Sequence, residues 1–302
     1  MNFFRAITLA IVTSFLLCSL ESPPVSYAQS NTAQVIKLTF TTIDAPGALN
    51  TVVEGINNVG QMVGYYYNDQ GFIATGFELD GGNFSFFSDP IGYSTVARAI
   101  NDSGLIAGYS YVGSEGVVGY LYDSTTFTKI QIGSYPDTYV EGIDNAGDIV
   151  GGYGFGSANG FEQSGTKFRN VTPPGGQGWA SADGINNFGQ IVGGSYGNDG
   201  FFYQNGKYTV IKVTDQYFLT EALGINDNGM IVGSYFGCTS SCTEHGFVFF
   251  KGKYLSFDFP NAFQTFADGI NNAGQVVGTY TATEYGYFHG FVTSPVTVAD
   301  FQ

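Results

Sequence analysis

The stretch EGINNVGQMVGYY, Glu54–Tyr66, returns in recognisable form five more times along the chain, and its reading decides the fold. Aligned on the first position of Gly-Ile-Asn-Asn-x-Gly-x-x-Val-Gly, the six copies begin at Gly55, Ala99, Gly142, Gly184, Gly224 and Gly269. Their spacings are 44, 43, 42, 40 and 45 residues, the period of a four-stranded propeller blade. Helical repeats of this length would need apolar residues three and four apart. Glycine instead makes up 44 of 302 residues, and aromatic and β-branched residues dominate the rest, so the chain reads as all-β.

The turn inside each copy is read from what varies. Its first residue is Asn57, Asn101, Asp144, Asn186, Asn226 or Asn271; its second is Asn58, Asp102, Asn145, Asn187, Asp227 or Asn272. The third is free, and the fourth is always glycine. This is the pattern of a type I turn followed by a left-handed residue. Asn and Asp interchange because each offers a side-chain oxygen that caps the turn. Calcium would need oxygens from alternate positions and a bidentate carboxylate, so the pairs are read as turn residues.

After each turn, runs such as QMVGYY and QIVGGS place adjacent apolar residues on opposite faces, as in a strand covered on both sides. A third strand follows in TGFELD or HGFVFF, and a fourth in NFSFFSDP or KYLSFDFP. The last copy lacks a clear fourth strand, while VIKLTFTTIDAPGA (Val35–Ala48) matches GKYLSFDFPNA (Gly252–Ala262) in character. The expected architecture is a six-bladed β-propeller whose N-terminal segment completes the last blade and leaves no free edge. An open β-solenoid is the alternative, but it would not need complementary ends.

Residues 1–28 read as a signal peptide, with Arg5, an apolar run Ala6–Leu20 and small Ser26 and Ala28 before the cut. Residues 29–302 then form a single repeat domain, secreted to the extracellular space or periplasm. No later apolar stretch is long enough to span a membrane. The leader carries only Arg5 and Glu21, so the mature chain keeps the net charge of −15. That balance argues against nucleic acid and anionic membrane surfaces, and permits cations and neutral polymers. Of three cysteines, Cys238 and Cys242 remain; in an exported chain they are expected to form a disulfide.

GINNVGQMVG, GINNFGQIVG and GINNAGQVVG, with HGF at His245–Phe247 and His289–Phe291 and TTIDAPGA at Thr41–Ala48, resemble the bacterial HAF-type extracellular repeat proteins. The resemblance covers nearly the whole mature chain. It implies an exported bacterial protein with a propeller-like array, and it implies no activity to carry over. The His of HGF is Thr75, Val118, Asn159 and Asp199 in the first four copies, which speaks against a shared site there.

The residue before each Gly-Ile is Glu54, Arg98, Glu141, Asp183, Leu223 or Asp268. If its strand is innermost, these side chains come from equivalent points around one axis and could bind a cation or a polar ligand. Crowded carboxylates there would also raise one another's pKa. The plainer reading is a solvated strand end. Aromatic residues gather in the connections entering that strand, among them Tyr93, Tyr135, Trp179, Tyr217 and Phe218; Trp179, flanked by Gly and Pro, is expected to be the most exposed. His245 and His289 share one repeat position and are expected to satisfy local hydrogen bonds. Gly193–Gly197 matches the G-x-S-x-G nucleophile pattern but lacks the helix that chemistry needs.

The sequence therefore reads as a secreted, non-enzymatic binding or structural module for a carbohydrate or a cell-envelope partner. The ligand residues it points to are Glu54, Arg98, Glu141, Asp183, Asp268 and Trp179. A glycan hydrolase or lyase using the channel carboxylates is the alternative. No catalytic residue, metal set or cofactor is assigned, and calcium is the one ion the acidic positions leave open.

Overall fold

A computed structural model describes residues 34–68, 73–113, 116–175, 178–195, 199–213, 219–238 and 242–302. The leader, and the aromatic pair Tyr217 and Phe218, lie outside the described residues. The first five copies of the repeat each supply four antiparallel strands to one blade, and the sixth supplies three. The blades are β3–β6 (Asn50–Ile56, Met62–Tyr67, Thr75–Asp80, Asn83–Phe87), β7–β10 (Ser94–Ile100, Ile106–Tyr111, Val117–Tyr122, Phe127–Ile130) and β11–β14 (Thr138–Ile143, Ile149–Tyr153, Asn159–Ser164, Lys167–Asn170). They continue as β15–β18 (Ala180–Ile185, Ile191–Ser195, Asp199–Gln204, Lys207–Ile211) and β19–β22 (Leu219–Ile225, Ile231–Cys238, Cys242–Phe250, Lys253–Phe257). The sixth contains β23–β25 (Gln264–Ile270, Val276–Thr281, Phe288–Thr293) and takes its outer strand from β2 (Phe40–Ile43).

The ring closes as the complementary ends require. β2 pairs antiparallel with β25, Phe40 opposite Thr293 and Ile43 opposite Gly290. The inner strands β3, β7, β11, β15, β19 and β23 each contact the next, and β23 contacts β3. The chain is a six-bladed β-propeller. One feature was not expected: β1 (Gln34–Val35) adds in parallel to β22, so the fifth blade has five strands.

Among the described residues the apolar core is divided, with a small cluster of Val52, Phe266 and Phe288 beside the larger ones. Six apolar clusters each fill the wedge between two neighbouring blades. The aromatic residue of the HGF position anchors every wedge: Phe77, Tyr120, Phe161, Phe201, Phe247 and Phe291 are all at most 2% exposed. Burying each ring contributes about 1.5–3 kcal/mol. Where the residue is Tyr120, its hydroxyl donates to the Val96 carbonyl at 3.0 Å, which satisfies the buried polar atom.

A second repeat residue is explained by close approach. Each inner strand carries a β-bulge at the residue before Gly-Ile, between Val53 and Gly55 in the first blade and at the matching place in the other five. The glycine of Val-Gly on the second strand faces that bulge. A Cβ on Gly64 would lie 1.9 Å from the Val52 carbonyl oxygen, and one on Gly233 1.8 Å from that of Glu221. Only glycine fits there.

Candidate functional site

The six bulges place Glu54, Arg98, Glu141, Asp183, Leu223 and Asp268 at one level around the axis, because a bulge leaves its extra residue out of the ladder and re-aims the side chain. The structure brings most of these residues together. Arg98 forms ion pairs with Glu54 through Nη1 and with Glu141 through Nε, linking the first three blades. Asp268 acts electrostatically on Arg98, and Asp183 is acted on by Glu141, Arg98 and Glu221. Of the two readings for these positions, the solvated strand end is corrected. Glu54 is 4% exposed, and the Arg98 and Glu141 side chains are only 20% and 11% exposed.

Burial sets the electrostatics. Loss of solvent lowers the tendency of Arg98 to stay charged, but Glu141 and Glu54 outweigh it and hold the guanidinium well above its ordinary pKa. Burial pushes Glu141 up against the opposing pull of Arg98. Asp183 is pushed up to about 7, first by burial and then by Glu141, although a Ser181 hydrogen bond and Arg98 oppose the rise. Asp183 Oδ2 also accepts the Gly194 N–H at 3.1 Å.

Tyrosines wall one side of this group. Tyr109 packs edge-on to Tyr139 with centroids 5.0 Å apart, Tyr109 lies 5.8 Å from Tyr111, and Tyr111 lies 6.2 Å from Tyr93. Burial pushes Tyr139 up to about 12 and Tyr109 and Tyr111 higher, so all three remain hydroxyl donors at neutral pH. The repeat positions of Tyr65 and Tyr109 hold Gly152, Gly194, Ser234 and Thr279 in the other blades, so the wall is one-sided. Trp179 differs from expectation. It is half-buried, and its ring packs where a Cβ on Gly194 would meet it at 3.3 Å, with Glu221 beside the same point.

The two ends of the axis are unlike. The inner strands begin where the connections from each outer strand arrive and where second strands turn into third strands. At this end the rim carries exposed Tyr93, Tyr135, Phe155, Tyr285 and Tyr287. Lying on this side of the Asn/Asp turns, the tyrosines, Trp179 and the charged residues are here termed the cup. At the other end the Asn/Asp turns close a ring. The backbone N–H of each second turn residue donates to the side-chain oxygen of the next blade's second turn residue, from Asn58 to Asp102 at 2.8 Å round to Asn272 to Asn58 at 2.8 Å. Each first turn Asn also donates Nδ2 to the neighbouring blade's carbonyl, as Asn57 does to Asn101 at 3.0 Å. Reading these pairs as turns alone was therefore incomplete: they cap the turn and tie the blades. A cavity of about 70 Å³ on the axis is lined by the isoleucine and both turn residues of every copy.

The remaining sequence candidates fall outside the cup. His245 Nδ1 lies 2.9 Å from Asp258 and His289 Nδ1 2.9 Å from Asp44, each within hydrogen-bond distance of a single carboxylate. Ser195 ends a strand and donates to the Asp199 carbonyl at 3.4 Å, with residues 196–198 outside the described ones. Among the described residues no three His, Cys, Asp or Glu side chains gather as metal ligands. The register sets Cys238 directly opposite Cys242, and the Cys238 side chain lies outside the description. Sequence reasoning missed Glu221 on an inner strand and Tyr65, Tyr109 and Tyr111 on second strands, because only the register shows which strand positions face the axis.

No family model matches this chain, and no curated protein matches it. Solved structures do. AofleA from Arthrobotrys oligospora is 11% identical, with 89% of this chain and 89% of that chain covered and a TM-score of 0.50. The β-propeller domain of the Trilobed protease from Pyrococcus furiosus is 10% identical over 80% of this chain and 81% of that chain, with a TM-score of 0.49. An Aleuria aurantia lectin mutant in complex with Fucalpha1-6GlcNAc is 11% identical over 82% and 97%, with a TM-score of 0.46. At these identities the likeness is one of fold.

Proposed function

We propose that this protein is a secreted, non-enzymatic carbohydrate-binding module of the HAF repeat type, with the axial cup as its binding seat. One observation carries the reading: a buried Arg–carboxylate group lies beside a one-sided row of edge-packed tyrosines within the ring of inner strands. A sugar presents C–H faces to aromatic rings and hydroxyls to carboxylates and guanidinium, and a fixed cup spares the ligand the cost of ordering the site. Export, and a Cys238–Cys242 disulfide closing the hairpin, belong to the same proposal. So does the absence of a resident cofactor, with calcium as the ion to test.

The test is a glycan array probed with residues 29–302, with calcium and then with chelator. The reading expects a defined hit that Trp179→Ala weakens without lowering the melting temperature. A blank array overturns it and transfers the weight to an envelope protein partner or a purely structural role. One observation favours the rival, glycan hydrolysis or lysis: Asp183, pushed up to about 7, stands close enough to feel Glu141, a pairing suited to acid–base work. Turnover of the array hit with a bell-shaped pH profile, abolished by Glu141→Gln, would establish that rival.

A further inference from the structure

The six turns at the closed end follow one pattern, and the third blade departs from it. In five copies the first turn residue is asparagine, and its Nδ2 donates to the first-turn carbonyl of the next blade at 2.9–3.3 Å. In three of these the same Nδ2 also donates to a glutamine four residues on. Asn57 reaches Gln61 at 2.7 Å, Asn186 reaches Gln190 at 2.7 Å and Asn271 reaches Gln275 at 3.0 Å. The third blade replaces both members of that pair, with Asp144 for the asparagine and Asp148 for the glutamine. Asp144 is seated as its counterparts are. Its Oδ1 accepts the Ala146 and Asp148 N–H at 2.9 Å each, as Asn57 Oδ1 accepts those of Val59 and Gln61.

The other oxygen, Oδ2, therefore stands where five copies hold an NH₂ group, and no donor among the described residues reaches it. Its neighbours are acceptors. The Asn186 carbonyl takes the Gly189 N–H at 2.9 Å and, unlike the other five first-turn carbonyls, receives no side-chain amide. Asp148 is close enough to act on the Asp144 carboxyl electrostatically. Asp144 is 7% exposed, and both it and Asn186 line the axial cavity of about 70 Å³. A buried carboxylate oxygen set against a carbonyl is costly unless a cation or a proton stands between them.

We propose that the third-blade turn binds a hard divalent cation of the calcium type at the seam between the third and fourth blades. Asp144 Oδ2, a carboxylate oxygen of Asp148 and the Asn186 carbonyl supply three oxygens, and water in the axial cavity completes the shell. Oxygen ligands alone, two of them anionic, suit calcium rather than zinc or copper. The ion takes the place of the amide tie that this seam lacks, so it clamps the third blade to the fourth. Two carboxylates and one carbonyl make a weak site, about 10⁻⁴–10⁻³ M as in extracellular calcium modules. It lies at the opposite end of the axis from the cup and stands independently of the carbohydrate reading.

The experiment is calorimetric titration of chelator-treated residues 29–302 with calcium chloride at pH 7, paired with melting curves in calcium and in chelator. The expected result is one ion per chain, with a melting temperature about 3–5 °C higher at roughly 10 mM calcium. Asp144→Asn, which restores the residue of the other five copies, should bind at least about tenfold more weakly and lose the calcium shift. In chelator that variant should melt no lower than the unaltered chain, because its Nδ2 can donate to the Asn186 carbonyl. Asp148→Gln, the residue of three other copies, should weaken calcium several-fold and carries the test should Asp144→Asn fail to fold. Absence of both heat and melting shift, with calcium and with magnesium, overturns the cation and leaves a proton held between Asp144 and the Asn186 carbonyl. Calcium binding that survives both substitutions overturns the site and moves the ion to another acidic group.

Discussion

Asp102→Asn probes the ring of turns in a way that sequence alone would call conservative. Asp102 accepts the Asn58 backbone N–H on Oδ1 at 2.8 Å, and on Oδ2 both the Asn58 amide at 2.9 Å and the Asn145 amide at 2.7 Å. Asp227 does the same on the opposite side, taking Asn187 and Asn272 on Oδ2 at 2.8 Å each. The order Asn, Asp, Asn, Asn, Asp, Asn therefore gives every amide an adjacent carboxylate. In Asp102→Asn one oxygen becomes an NH₂ group aimed at two other NH₂ groups, so two charge-assisted bonds are lost. Such bonds are worth about 1.5–3 kcal/mol when buried. At the edge of the ring, where water competes, about 1 kcal/mol each is reasonable. The total of about 2 kcal/mol should lower the melting temperature by roughly 4–8 °C for a domain of this size. Burial alone would raise the Asp102 pKa, but the bonds from Asn58 and Asn145 outweigh it and hold it below the usual range. Its stabilisation is thus complete above the unfolded value of about 3.9 and fades as pH falls through the folded one. Differential scanning calorimetry at pH 7 and at acid pH reads both effects. A shift under about 1 °C at pH 7, or one that persists unchanged at strongly acid pH, refutes the reasoning.

Three further outcomes follow from the cup and the closure. Asp183→Asn should stabilise the fold at pH 8. The carboxyl pKa, raised to about 7, gives a stability term present below the unfolded value and lost as pH rises through 7. The gain, on the order of 2–4 kcal/mol, should shrink as pH falls toward 4 in chemical denaturation curves. Arg98→Met should destabilise by about 3 kcal/mol at neutral pH, because it strands Glu54 and Glu141. Lowering the pH should recover part of that loss in the same curves. Beginning the chain after Ile43 removes β1 and β2 and bares the edge of β25, so that protein should elute as aggregates or multimers in size-exclusion chromatography.

The fold was readable from the repeat because each element of the phrase has one dominant physical cause. Six glycines at the fourth turn position carry positive φ, from Gly60 at 90° to Gly274 at 84°, and the HGF aromatics fill the wedges. Complementary ends at Val35–Ala48 and after Val292 revealed the closure. The site was legible only in part. Glu54, Arg98, Glu141, Asp183 and Asp268 share a repeat position, and periodicity could align them. It could not reveal that a bulge turns them onto one another, nor that Arg98 bridges two of them. Tyr65, Tyr109 and Glu221 lie on strands whose facing depends on the register, and a one-residue slip would reverse it. Trp179 looked exposed from its neighbours Gly178 and Pro174, but its surroundings include Gly194 from the adjacent strand, which local sequence does not contain. The inter-blade role of Asn58 was hidden for the same reason: its partner is 44 residues away.

Trp179 is the only tryptophan in the chain, so its emission reports on the cup alone. The most direct test of the account is a fluorescence titration of residues 29–302 with the oligosaccharide the array selects. A saturable change in Trp179 emission, with a midpoint equal to the calorimetric affinity and absent in Glu141→Gln, is the predicted result. Calorimetric binding with Trp179 emission unchanged at saturation would put the ligand elsewhere on the propeller and contradict the cup as the binding seat.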